Sequence, residues 1–243
     1  MACCRWTPSS SVLCLWRRDP FDKASDKQAT MHDALVIHRP AGAATQLVLL
    51  FHGVGSNAED LRPLGTALAD RFDQAWVVSV RAPEASDVGA GWQWFSVAGI
   101  GEGNRPPRVA AAMPRFVQAV RHRQQETGLN AAATTLFGFS QGAIMALEAT
   151  QHSAPVAGRV VAIAGRFAQP PRVAPAGTLV HLMHGEQDRV MPVGLAVEAE
   201  RQLRALGVQA TLDLYPGLGH GIDGRVVDGI VRRLGGQVHR GSK

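Results

Sequence analysis

The sequence predicts an α/β protein built on a mostly parallel, twisted sheet with helices on both faces, and two observations carry that prediction. Short, continuously apolar runs such as LVLLF at 47–51 and WVVSV at 76–80 are what a strand buried on both faces requires. Between such runs lie windows with the 3.6-residue period of amphipathic helices. Strand and helix signals in strict alternation are the mark of βα units around a parallel sheet.

Taken in order, strands are expected at Ala34–His38, Leu47–His52, Trp76–Val80, Thr134–Phe139, Val160–Ala164, Leu179–Met183 and Ala210–Leu214. Helical windows run from Asp60 to Phe72, Val109 to Glu126, Gln141 to Thr150 and Pro192 to Leu206. A last helix places Ile222, Val226, Ile230 and Leu234 on one face. Pro114 falls inside the second window and predicts a kink or a restart there. The stretch from Ala82 to Pro107 is rich in glycine and proline, holds Trp92, Trp94 and Phe95, and reads as a long irregular loop. Loops of that length are uncommon in compact domains unless they serve function.

The periodic pattern opens after Met31, so residues 31–243 are expected to form a single domain. Residues 1–30 have no sustained period and read as an extension or as the product of a misplaced start. A chain beginning at Met31 is therefore expected to melt within a few degrees of the full chain and to keep its activity. Loss of soluble protein on that truncation would contradict the expectation.

Composition narrows the function classes. The net charge of +5 is spread thinly, and no basic run interleaved with aromatic residues resembles a nucleic-acid surface. Cys3, Cys4 and Cys14 are the only cysteines, which excludes a disulfide framework or a thiolate metal site from the rest of the chain. The apolar stretch from Val12 to Trp16 is too short for the core of a secretory signal, and no stretch approaches membrane-spanning length. The cytoplasm is the expected location, without stable membrane insertion.

Three turns carry candidate chemistry. The strand at 134–139 runs into Gly138-Phe139-Ser140-Gln141-Gly142 and then a helix. That is the strand–turn–helix setting of the G-x-S-x-G elbow, which lifts a serine oxygen clear beside the helix N-terminus. With 26 glycines the bare pattern has an expected chance frequency of about 0.1, so context decides. After the strand at 179–183 comes HGEQDRVMP, where Asp188 is the natural orienting acid, Glu186 competes with it, and an ordinary turn aspartate is the bland reading. After the strand at 210–214 the turn YPGLGHG delivers His220. The chain order Ser140, Asp188, His220 is that of the α/β-hydrolase fold and differs from the orders of the two best-known protease lineages. The strand at 47–52 ends in HGVGSN, the position of a second oxyanion donor, so the backbone N–H groups of Val54 and Gln141 form the expected oxyanion pair. His52 and His184 read as structural histidines bonding their own turns. Trp92, Trp94 and Phe95 are candidates for apolar substrate surface, with plain core packing as the alternative.

The segments FHGVGSN, GWQWFSVAGI, RVAAAMPRFVQAV, FGFSQGAIMALE, HGEQDRVMP and GLGHGI resemble the phospholipase/carboxylesterase family of small serine esterases, which includes the acyl-protein thioesterases. The resemblance implies a compact hydrolase without a large cap domain, needing no cofactor or metal, and acting on small-molecule esters of short to medium acyl chains, with thioesters as a further class. At Gln93-Trp94-Phe95-Ser96 the thioesterase relatives usually show Trp-Phe-Asp, which argues against a protein-depalmitoylating role. A dienelactone-hydrolase-like enzyme would share the architecture but carries cysteine in the elbow. A non-catalytic scaffold is the alternative of a different class, although a binding module has no need of serine, acid and histidine together.

Overall fold

The computed structural model describes residues 33–235, so the expectation for residues 1–30 lies outside the described residues. Seven strands form one sheet: β1 (Ala34–His38), β2 (Gln46–Phe51), β3 (Ala75–Val80), β6 (Thr134–Phe139), β7 (Arg159–Ile163), β8 (Leu179–Gly185) and β9 (Ala210–Tyr215). Their order across the sheet is β1-β3-β2-β6-β7-β8-β9, and only the edge strand β1 runs antiparallel to its neighbour. β2 and β6 lie near the middle with almost no solvent exposure, which is why they read as unbroken apolar runs.

Alternate side chains of each strand feed two cores. Leu47, Leu49 and Phe51 of β2 face α2 (Arg105–Thr127), α3 (Gln141–Ala149) and α4 (Gly194–Ala205). Val48 and Leu50 face α1 (Arg62–Arg71) and α5 (Gly224–Gly235) on the other side. Ile222 precedes the last helix instead of lying within it, yet packs on the same face as Val226, Ile230 and Leu234.

Of the kink or restart expected at Pro114 the restart is excluded, and the irregular loop expected from Ala82 is corrected. Helix α2 continues through Pro114 as one element, with no restart. Pro114 and Ala110, whose carbonyl loses its partner to the proline, are both exposed, so water can satisfy the freed oxygen, while Val109 and Phe116 anchor the helix on either side. The supposed irregular loop from Ala82 contains a small antiparallel hairpin, β4 (Glu84–Ala85) with β5 (Trp92–Gln93).

One buried group in the sheet makes stability depend on pH. His181 of β8 hydrogen-bonds Thr211 Oγ1 of β9 through Nδ1 at 2.7 Å, and its Nε2 is buried without a hydrogen-bond partner. Burial, together with the charges of Arg159 and Arg233, pushes its pKa down to about 4. The folded state thus prefers neutral imidazole. Its contribution is complete above the unfolded histidine value, about 6.5, and is lost as pH falls from there towards 4. The loss amounts to at most about 3 kcal/mol. Melting curves from pH 7 to 4 are expected to flatten when His181→Asn removes the titrating ring; an unchanged slope would refute the assignment.

Candidate active site

The three residues expected to carry the chemistry stand on separate turns, each leaving the C-terminal end of a parallel strand, where open α/β sheets gather their ligands. Between β6 and α3 the chain reverses so sharply that Ser140 adopts φ 52° and ψ −113°, a region L-residues avoid. Its N–H donates to Ile163 O on β7 at 3.0 Å, fixing the turn to the neighbouring strand. A Cβ at Gly138 would collide with the carbonyl of Gly142, and a Cβ at Gly142 with the carbonyl of Phe51. Both glycines of the pattern are therefore demanded by main-chain approach.

From the end of β9 the turn at 216–223 brings His220 against this serine. With its proton on Nδ1, His220 donates to Asp188 Oδ2 at 2.7 Å, and Ser140 Oγ donates to His220 Nε2 at 2.9 Å. The ring of Phe139 lies against the imidazole, centroids 5.0 Å apart. The other oxygen of Asp188 accepts N–H bonds from Val190 at 2.9 Å and Met191 at 2.8 Å. Burial acts to raise the Asp188 carboxyl, but these backbone donors and the His220 ring outweigh it and hold the pKa below the usual carboxylate value. Asp188 thus combines the two readings open from the sequence: it orders its own turn and it engages the histidine. Glu186 is exposed beside it. His184 is buried, donates through Nε2 to Met191 O at 2.7 Å, and braces the same turn.

The loop after β2 passes directly beside the serine, with the Cβ direction of Gly53 reaching 3.2 Å from Ser140 Cβ. Val54 follows on this loop, half-buried, and Gln141 opens α3. His52 is fully buried, donates from Nδ1 to Gly53 O at 2.7 Å and accepts the Ala82 N–H on Nε2 at 3.0 Å. Burial holds its pKa below the ordinary histidine value, so it braces the loop as a neutral ring.

Of Trp92, Trp94 and Phe95, expected as substrate surface with core packing as the alternative, the last two are mostly buried, although both line a cavity of about 350 Å³ together with Ser96, Arg108 and Ala112. Trp94, 2% exposed, packs edge-on against Phe51 and Phe116, and Phe95 is 4% exposed. The physical cause is a clamp that periodicity cannot reveal. The buried side chain of Gln141 accepts the Trp94 N–H at 2.7 Å and donates to Phe95 O at 2.7 Å, drawing this segment into the core beneath the elbow. Trp92 remains half-buried under the guanidinium of Arg81, 3.7 Å from the ring. The segment ends in Ser96, and the carboxylate of Asp87 ties down the residues that follow it. Its Oδ2 accepts the N–H groups of Val97 at 2.8 Å and Ala98 at 3.2 Å. A further residue the sequence did not single out is Glu148, buried on α3, which accepts the Ala168 N–H at 2.7 Å and so positions the loop after β7.

Residues 32–234 match the phospholipase/carboxylesterase family. The chain is 47% identical over 194 residues to "Esterase YpfH" of Escherichia coli strain K12, an alignment covering 80% of this chain and 84% of that protein. Among solved structures, esterase PE8 superposes with a TM-score of 0.77 at 31% identity, covering 84% of this chain and 97% of that one. A Bacillus cereus carboxylesterase shares the fold with a TM-score of 0.72 at 18% identity, over 88% of this chain and 99% of its own. With an α/β-hydrolase sheet, no large cap and these relatives, the chain belongs to the phospholipase/carboxylesterase family and is a hydrolase of the carboxylesterase type.

Proposed function

We propose that this hydrolase cleaves small carboxylic esters of short to medium acyl chains, and thioesters as a second class, through an acyl-enzyme on Ser140. The observation that supports the reading is the continuous chain from Ser140 Oγ to His220 Nε2 at 2.9 Å and from His220 Nδ1 to Asp188 Oδ2 at 2.7 Å, at the foot of the elbow. Nothing in a binding scaffold requires a strained serine aligned on a histidine that is in turn aligned on a buried acid.

In this mechanism His220 Nε2 takes the Ser140 proton as Oγ attacks the acyl carbon, and Asp188 stabilises the imidazolium that results. The N–H groups of Val54 and Gln141 hold the tetrahedral oxyanion, the second of them reinforced by the dipole of α3. The same proton then goes to the departing alcohol or thiol. Water, deprotonated by His220, attacks the acyl-enzyme and restores Ser140.

Two measurements test this. A fluorophosphonate probe is expected to label Ser140, and an unlabelled serine would favour the scaffold. 4-Nitrophenyl esters of graded chain length, run beside an acyl-CoA, locate the preferred acyl group; hydrolysis of neither class would overturn the proposal. The proposed setting is the cytoplasm, with small dissolved esters as substrates; separately, among the described residues no helix is long and apolar enough to cross a membrane.

A further inference from the structure

Just past the C-terminal end of β7 lies a cavity of about 210 Å³. One wall is the loop that follows β7, with Arg166 and Phe167; another is α4, which follows the Asp188 turn and presents Leu195, Ala199 and Gln202. The loop before α2 closes it with Glu102. Ile163, whose carbonyl accepts the Ser140 N–H, stands three residues before Arg166, so the cavity and the nucleophile share a strand end.

The charges here are unequally placed. The side chain of Arg166 is 16% exposed and that of Arg105 is 14% exposed, whereas Glu102, which both grip, is 71% exposed. Arg166 holds the glutamate in a bidentate fork, Nη1 to Oε1 at 2.9 Å and Nη2 to Oε2 at 2.8 Å, and Arg105 Nη1 reaches the same Oε1 at 2.6 Å. Arg166 is itself oriented by a bond from Nε to Phe167 O at 3.0 Å. These arginines, the hydrogen bonds from Arg166 foremost, hold the Glu102 carboxyl below its usual pKa. The other carboxylate lining the cavity, Glu198, is taken up by Arg201 and Gln202. Two largely buried, prealigned guanidinium groups are thus capped by one solvent-facing carboxylate, carried between Gly101 and Gly103. Buried arginines are costly to leave unpaired, while an exposed partner contributes little by its own presence and exchanges readily. The planar fork matches a carboxylate best.

We propose that Glu102 occupies the place of a substrate carboxylate, and that Arg166 and Arg105 make the enzyme selective for esters whose acyl chain ends in a free carboxylate, the half-esters of dicarboxylic acids. This inference rests on the esterase reading of Ser140 and names the substrate class for it. A half-ester displaces Glu102, anchors its far end on Arg166 and lays its methylenes along Phe167 and Leu195 towards the elbow.

The test compares 4-nitrophenyl half-esters of C4 to C8 dicarboxylic acids with neutral 4-nitrophenyl esters of the same chain lengths. Arg166→Gln is expected to lower kcat/KM for the preferred half-ester by about tenfold or more, the value of a lost charge-assisted pair, with the neutral ester changed less than about twofold. Glu102→Gln, which removes the internal competitor, is expected to raise the half-ester and leave the neutral ester alone. Equal effects on both ester types in both variants would overturn the inference and mark the cluster as a structural strap. If Arg166→Gln fails to fold, Glu102→Gln decides by the same ratio. A binding readout separates this inference from the esterase reading: adipate is expected to raise the melting temperature of the wild type where hexanoate does not. If no ester is hydrolysed, the esterase reading falls and the adipate shift alone decides whether the carboxylate site exists; no shift overturns it.

Discussion

Ser140→Ala is expected to give a folded protein whose ester hydrolysis has dropped on the order of 10⁶-fold, the scale on which a lost serine nucleophile registers in enzymes of this chemistry. The fold survives because alanine brings the same Cβ into the φ 52° turn, and the only side-chain bond removed is the one to His220 at 2.9 Å. The N–H bond to Ile163 O, which holds the elbow, is untouched. The check has two parts, a melting temperature within a few degrees of the parent and the loss of both turnover and fluorophosphonate labelling. Turnover near the parent rate would show that another residue attacks the ester.

Asp188→Asn should cost roughly 10⁴-fold in turnover while the protein stays folded. The direction follows from the geometry of the turn. One carboxylate oxygen accepts the N–H groups of Val190 and Met191, so the amide of an asparagine turns its oxygen to them and its NH₂ towards His220. Facing a donor, Nδ1 becomes the acceptor, the ring proton moves to Nε2, and the imidazole can no longer take the Ser140 proton. Glu186→Gln, on an exposed side chain, is expected to stay within about twofold. Steady-state kinetics on one neutral ester compares the two variants, and a crippled Glu186→Gln beside a mild Asp188→Asn would reassign the acid.

How much of this was legible in the sequence depended on whether the determinant was local. The seven long strands were legible to within a residue or two; in the central ones burial on both faces writes itself as an unbroken apolar run, as at 47–51, whereas the half-exposed edge strands β1 and β9 show it only weakly. The elbow was legible because strand, glycines, serine and helix are contiguous. The hairpin of β4 and β5 was not, since two-residue strands leave no period to detect. At Pro114 the restart does not occur: proline lowers helix propensity locally, whereas packing of Val109 and Phe116 and the exposure of Ala110 let the helix run on. For Trp94 and Phe95 a glycine-rich stretch leaves substrate surface and core packing equally open, because the clamp that buries most of their area comes from Gln141, 46–47 residues away. The pairing of Glu102 with Arg166 spans 64 residues and has no local signature at all.

The turns that carry Asp188 and His220 are joined main chain to main chain. A Cβ on Gly185 would strike the carbonyls of Leu218 and Gly219, the Gln187 N–H donates to Leu218 O at 3.0 Å, and the Glu186 N–H donates to Tyr215 O at 3.1 Å. The spacing of acid and base is therefore set by backbone contact, and the outward side chains of Glu186, Gln187 and Arg189 play no part in it. Those three side chains are exposed on a fixed frame. Randomising them should leave the alignment of the catalytic hydrogen bonds constant, whereas any side chain placed at Gly185 would pry the two turns apart and uncouple the acid from its histidine.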